Sequence, residues 1–206
     1  MGKRTVTVTG TGRAAVAPDV VRLDLRIGHD APDVAAALSG AASGLTTVGA
    51  AIRAHDVADV DIRTLDASVG QRYDNTGNPI GFSAQQRVAV TVRDLDAVGP
   101  ILESAAESIG NAFLVDQVRL DVADRSAGLQ QARDAAFAEA KAKAQQYAAL
   151  SGLELGSVLG VAEGGVAPVM FGKMALASRD MAGAGMPIEG GDLDLSAIVT
   201  VTWELR

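Results

Sequence analysis

Two long alternating stretches, Asp59 to Tyr73 and Ile80 to Arg93, flank six consecutive turn formers, Asp74-Asn75-Thr76-Gly77-Asn78-Pro79. Alternation of polar and apolar residues is the period of a strand with one wet face, and an Asn/Gly/Pro cluster between two such runs marks a hairpin. A hairpin this long demands a sheet on which to lie, so an all-helical fold is excluded. Shorter alternating runs at Thr5 to Thr9, Val21 to Ile27, Phe113 to Val122, Leu155 to Val161 and Leu193 to Leu205 supply further strands.

Between them the period changes. From Pro32 to His55 the chain is Ala-rich, with Val34, Leu38, Leu45, Val48 and Ile52 at largely helical spacing and Asp30 or Asp33 as the cap. Gly40, Gly44 and Gly49 weaken this helix, and close approach to a sheet is the expected return. Leu95 to Ile109 reads as a short helix capped by Asp94 and stopped by Gly110. Asp124 to Ser151 reads as the clearest helix, with Gly152 at its C-cap and an Ala132-Ala136-Ala140-Ala144 face packed on a sheet. The expected class is α+β with largely antiparallel sheets, in two related halves, 1–93 (β-β-α-β-β) and 94–206 (α-β-α-β-β), sharing the long hairpin within one unit of 1–206. Val60-Asp61-Ile62-Arg63-Thr64-Leu65 and Val115-Asp116-Gln117-Val118-Arg119-Leu120 echo each other after the first and second helices.

Aromatics are 3% of the chain, so its core is built from small and β-branched side chains. The formal charge of −7, with no Lys/Arg cluster, argues against nucleic acid as a partner. No apolar run approaches the twenty or so residues of a membrane span. With no cysteine, disulfides and thiol chemistry are out and the redox compartment stays open. As given, the chain shows no export leader and reads as cytoplasmic; a removed leader would make it periplasmic or extracellular.

Read together, Val8-Thr9-Gly10-Thr11-Gly12 followed by Ala17-Pro18-Asp19, then Val60 to Thr64, the Ala-rich helix with Lys143 and Ala144, Ser151 to Val158, and Met186-Pro187-Ile188-Glu189-Gly190 before the last strand resemble the SIMPL-domain family, DUF541. Its bacterial members include periplasmic immunogenic proteins. The resemblance covers essentially the whole chain. It implies an α+β fold, assembly into ring- or channel-like homo-oligomers, and a scaffold or oxidative-stress role; it supplies no catalytic residues.

The motifs that carry chemistry are weak. Gly10-Thr11-Gly12-Arg13-Ala14-Ala15 fits a relaxed dinucleotide fingerprint, but no helix follows whose N-terminus would receive a pyrophosphate, so it reads as a glycine-bearing strand connection and no cofactor is expected. His29 and His55, with Asp56 beside the latter, lack metal-ligand spacing. Asp24, Asp61, Asp66, Asp116 and Asp121 recur at strand positions and read as a wet sheet face rather than an acid/base pair, and the chain as a whole as non-enzymatic. The segment 165–191 holds Met170, Phe171, Met174, Met181 and Met186 among Gly, Ala and Pro. It reads as adaptable cover for a subunit contact together with the hairpin-tip residues Tyr73, Ile80 and Phe82. The alternative is a carrier that uses this loop to bind a protein, an apolar ligand or, through thioethers, Cu(I).

Overall fold

The computed structural model describes residues 4–164, 170–171 and 191–206. The chain runs β1 (Thr5–Val16), β2 (Val20–Ala31), α1 (Val34–Arg53), β3 (Ile62–Tyr73), β4 (Pro79–Val92), α2 (Val98–Ile109), β5 (Phe113–Asp121), α3 (Ser126–Leu150), β6 (Leu155–Glu163), β7 (Met170–Phe171) and β8 (Leu193–Leu205). It is α+β, and every strand pairing among the described residues is antiparallel.

Two compact units result, and they do not divide at residue 93. In the first, β8 is the central strand: β1 pairs with it along all twelve residues, from Thr5 opposite Glu204 to Val16 opposite Leu193, while β6 and the short β7 lie on its other side. In the second, the order is β3-β4-β2-β5. The opening strand therefore pairs with the closing strand, and β5 pairs with β2 instead of joining a C-terminal half.

The first unit is held by close backbone packing. On α3, Gly128, Ala132, Ala136, Ala140, Ala144 and Ala148 recur every four residues and are all buried, since i and i+4 stand on one helix face. Opposite them β1 presents Gly10, Gly12 and Ala14, also buried. A Cβ built at Gly10 would lie 2.0 Å from the Ala136 carbonyl oxygen, and one at Gly12 would lie 2.0 Å from that of Ala132. These glycines thus sit inside a strand, not in a connection, and what approaches them is the backbone of α3. The helix also covers the outer edge of β1: the Thr11 amide donates to the Glu139 carboxylate, and Lys143 Nζ donates to the Thr9 carbonyl at 3.0 Å. The Thr11 amide bond, followed by Lys143, holds the Glu139 carboxyl below its ordinary range. A covered edge cannot template another strand. At its end α3 closes with the Gly152 amide on the Ala149 carbonyl and the Leu153 amide on that of Ala148, Gly152 taking the left-handed φ of 68° that this motif requires.

In the second unit α1 and α2 cover one sheet face. Asp33 caps α1 by accepting from the Ala36 amide at 2.8 Å. Among the described residues α1 is the helix that length and composition would allow to cross a membrane; one face of it, Ala37, Ala41, Val48, Gly49 and Ile52, is buried. Val21, Leu23, Leu25 and Ile27 of β2 and Val88, Val90 and Val92 of β4 meet these helices. Leu95 to Ala97 form a 3-10 turn capped by Asp94, so the helix proper starts at Val98.

Candidate functional site

Alternation sends the even-numbered residues of β2 away from the helices, and on that face charges meet across strands. Arg22 Nε donates to Asp121 Oδ2 at 2.5 Å, with Asp121 buried, and Arg22 also reaches Thr91. Arg26 Nη2 donates to Asp116 Oδ1 at 2.5 Å, and Arg87 meets Asp66 Oδ2 through Nε at 2.9 Å and Nη2 at 2.8 Å. Arg72 pairs with Asp30 at 3.0 Å, and Arg93 grips both oxygens of Asp61. Of the five strand aspartates singled out from sequence, four are thus committed to an arginine. For Asp66, Asp116 and Asp121 the partner sits on another strand, and Asp61 just before β3 meets Arg93 just after β4, which pairing order alone reveals. Two cups lie on this face, of about 540 Å³ around Arg26 and Arg87 and about 560 Å³ around Gly28 and Arg72, sharing Gln85.

The histidines stay apart. His55 Nε2 is 2.9 Å from Ser104 Oγ, joining α1 to α2, and the ring of His29 lies over Gly40, where a Cβ would come within 2.1 Å of it.

One of the two outer strands of this sheet is β3, and only its first residue is even half-buried. Leu65, Val69, Tyr73 and, on β4, Ile80 are 39%, 41%, 58% and 51% exposed. Phe82 differs from the sequence expectation of an awkwardly exposed tip residue: it packs against the buried Ala37, Ala41 and Ala84. The arm is also shorter than the alternation suggested, because β2 accompanies β4 as far as Ala31 opposite Phe82. Only residues 72–81 run beyond that support. Met174, Met181 and Met186 fall outside the described residues, and of Met170 and Phe171 only the strand pairing with Asp194 and Leu193 is described.

The tip itself is organised by one carboxylate. Asp74 Oδ1 accepts from the Thr76 amide at 2.9 Å, the Thr76 hydroxyl at 2.7 Å and the Asn78 amide at 2.9 Å. The Asn78 amide first, then the Thr76 hydroxyl and the Asn78 side chain, hold its pKa at about 2 against an ordinary 3.8. A depressed carboxyl pKa gives order that is complete above the ordinary value and lost as pH falls through the depressed one. Thr76 and Asn78 amide resonances are therefore expected to hold their folded positions down to about pH 4 and to move with a midpoint near 2. A midpoint near 4, or the same profile in Asp74→Asn, would contradict this cap.

Residues 6–203 match the family model described as SIMPL, Protein of unknown function (DUF541). The 26 kDa periplasmic immunogenic protein of Brucella melitensis is 27% identical over 98% of this chain and 84% of its own length. The uncharacterized protein YggE of Escherichia coli is 28% identical over 76% of this chain and 64% of its own length.

Proposed function

The chain belongs to the SIMPL family, and from that premise we propose that it acts without catalysis, as the subunit of a homo-oligomeric scaffold of ring or channel type whose contacts include β3 pairing with β3 of a second copy. The observation that carries this is the symmetry of the outer strand. Irregularities in the β3–β4 pairing fall between Thr64 and Asp66 and between Arg72 and Tyr73, so the regular segment is Asp66 to Arg72, with Val69 at its midpoint. An antiparallel pair centred on Val69 sets Asp66 opposite the partner copy's Arg72 and the reverse, Val69 opposite itself, and Leu65 near the partner copy's Tyr73. Opposite charges and apolar side chains in register stabilise a strand pair, and a two-fold contact needs such self-complementarity. Edge strands left long and half-apolar are otherwise an aggregation hazard. The capped edge of β1 is the contrast within the same chain. In the first unit β6 exposes Val158, Leu159 and Val161, a second contact surface that takes assembly beyond a dimer.

Because the chain has no cysteine, Val69→Cys offers a direct test. In oxidising buffer it is expected to give a disulfide-linked dimer, since residues opposite one another on paired strands lie within disulfide reach, while Gln71→Cys, displaced from the two-fold, remains uncrosslinked. Light scattering of the unaltered protein at micromolar concentration is expected to exceed the 21.0 kDa of one chain, and Val69→Glu to lower that mass by setting like charges opposite each other. A monomer throughout, or equal crosslinking at both positions, sinks the proposal. The periplasmic relative supports an extracytoplasmic location, which fractionation of the native cell would refute by finding the chain in the cytosol.

A further inference from the structure

We propose that the open face of the β3-β4-β2-β5 sheet binds a small zwitterion, its carboxylate between Arg26 and Arg87 and its ammonium on Asp66 or Asp116. Arg26 and Arg87 are direct register partners on β2 and β4, an arrangement of like charges that destabilises a sheet. Asp66 is the register partner of Arg87 on β3. Asp116 is the extra residue at the β5 irregularity opposite Asp24 and Leu25, and the bulge brings it to Arg26. The result is a row of four charges across four strands in the order minus, plus, plus, minus. Each carboxylate relieves one arginine from the outside: Asp66 bonds Arg87 and Asp116 bonds Arg26.

Three further observations point to a ligand. Arg26 spends only Nη2 on Asp116, and its Nε is buried with no partner among the described residues, although a guanidinium has five donors to satisfy. The cup of about 540 Å³ is lined by Arg26, Asp66, Ser68, Gln85, Arg87 and Asp116, all polar. Gly28, next along this face of β2, is not required by packing, since a Cβ there would meet only the Ala84 carbonyl oxygen at 3.9 Å. Glycine inside a strand weakens it and commonly marks close approach of a ligand. Gly28 lowers the floor between this cup and its neighbour, where Ala112 and Leu114 add apolar surface.

The charge order selects the ligand class. A bare anion gains from the central arginines but faces the flanking carboxylates, and a bare cation meets the converse. A zwitterion with its negative end central and its positive end lateral matches the row. Strands about 4.8 Å apart put the outer strands roughly 7 Å from the midline between β2 and β4, which favours an amino group several bonds from the carboxylate over an α-amino group. The cup lies within one chain and shares only Asp66 and Ser68 with the proposed β3 contact, so the test reads Arg26 and Arg87, which that contact does not use.

The test titrates the full chain at low ionic strength with 4-aminobutyrate, butyrate and butylamine, followed through amide shifts of Gly28 and Gln85. The expected result is saturation by 4-aminobutyrate with a Kd in the millimolar range and binding of either singly charged analogue at least about tenfold weaker. Arg26→Gln and Arg87→Gln are each expected to abolish the shifts, and Arg133→Gln, in the other unit, to leave them. Should either glutamine variant unfold, Arg26→Lys keeps the charge without the planar fork and is expected to bind about tenfold more weakly. Butyrate saturating as well as 4-aminobutyrate, no saturable shift with any of the three, or unchanged binding in folded Arg26 and Arg87 variants overturns the proposal.

Discussion

Gly10→Val is expected to destabilise the first unit by more than about 3 kcal/mol, and Gly12→Val to do the same. Overpacking a core usually costs about 1–3 kcal/mol because a neighbouring side chain shifts. Here the neighbours are main chain. At Gly10 a Cβ meets the Ala136 carbonyl oxygen at 2.0 Å and the Ala140 amide nitrogen at 2.6 Å; at Gly12 the corresponding atoms are the Ala132 oxygen at 2.0 Å and the Ala136 nitrogen at 2.4 Å. Relief requires α3 to move off the sheet as a body, and with it the buried row of alanines that make the cluster with Val199, Val201 and Trp203. Against a total stability of about 5–15 kcal/mol, such a loss leaves little. Ala136→Leu, which enlarges the same contact from the helix side, belongs in the ordinary range of about 1–3 kcal/mol because a leucine has rotamers to choose from. Trp203 is the single tryptophan of the chain, is 2% exposed and lies 6.0 Å from Phe137, so its fluorescence in a denaturant titration follows this unit. A midpoint for Gly10→Val within about 0.5 kcal/mol of the unaltered protein, as for a surface change, would mean the helix does not sit on the strand.

Those two glycines also mark where sequence reasoning reached and where it stopped. Gly10-Thr11-Gly12 reads from sequence as a strand connection in place of a phosphate-binding turn, whereas it lies inside β1, and the reason for its bare backbone is α3, more than a hundred residues later in the chain. Local patterns carried the elements well. Asp33, one of the two candidates, caps α1 and Gly152 follows α3 as its spacing suggested, Asp94 caps the 3-10 turn that precedes α2 and not α2 itself, and the Ala132-Ala136-Ala140-Ala144 stripe is buried as its period required. The pairing of β1 with β8 was not legible, because alternation states that a strand has two faces and says nothing about its neighbour. The same gap hid the charge row. Asp66 and Asp116 looked like solvated carboxylates until β3, β4, β2 and β5 were placed in order, which set them beside Arg87 and Arg26. Phe82 departs from its sequence expectation for the converse reason: a position near a hairpin tip reads as exposed, and a helix two elements earlier lies beneath it.

Leu25→Ala carries the second large effect, and it strikes the other unit. Leu25 is fully buried on β2, between β4 and β5, where Val88 is its partner on one side and Val115 on the other. Truncating a buried leucine costs about 2–5 kcal/mol, with the value set by how far the surroundings collapse into the space. Half of its cluster is valine, Val21, Val48, Val57, Val88, Val90, Val92 and Val98, beside Leu23, Ile27, Ile52, Ile101 and Ala105 with a single aromatic, Phe113. Valine has one strongly preferred side-chain rotamer in regular structure and little reach, so it fills a neighbouring void poorly. The expected cost therefore lies in the upper half of that range, above about 3 kcal/mol. The readout that tests more than stability is which signal moves. Leu25 and Trp203 belong to different buried clusters, so the far-ultraviolet circular dichroism transition is expected to split, with an early component from the second unit and a later one that coincides with the Trp203 fluorescence change. Each cluster is buried within its own unit, so Leu25→Ala should leave the Trp203 midpoint within about 0.5 kcal/mol of the unaltered protein, as a surface change would. If the fluorescence and dichroism transitions instead move together by the full amount, the two clusters unfold as one cooperative core and the division of the chain into separately stabilised units is wrong.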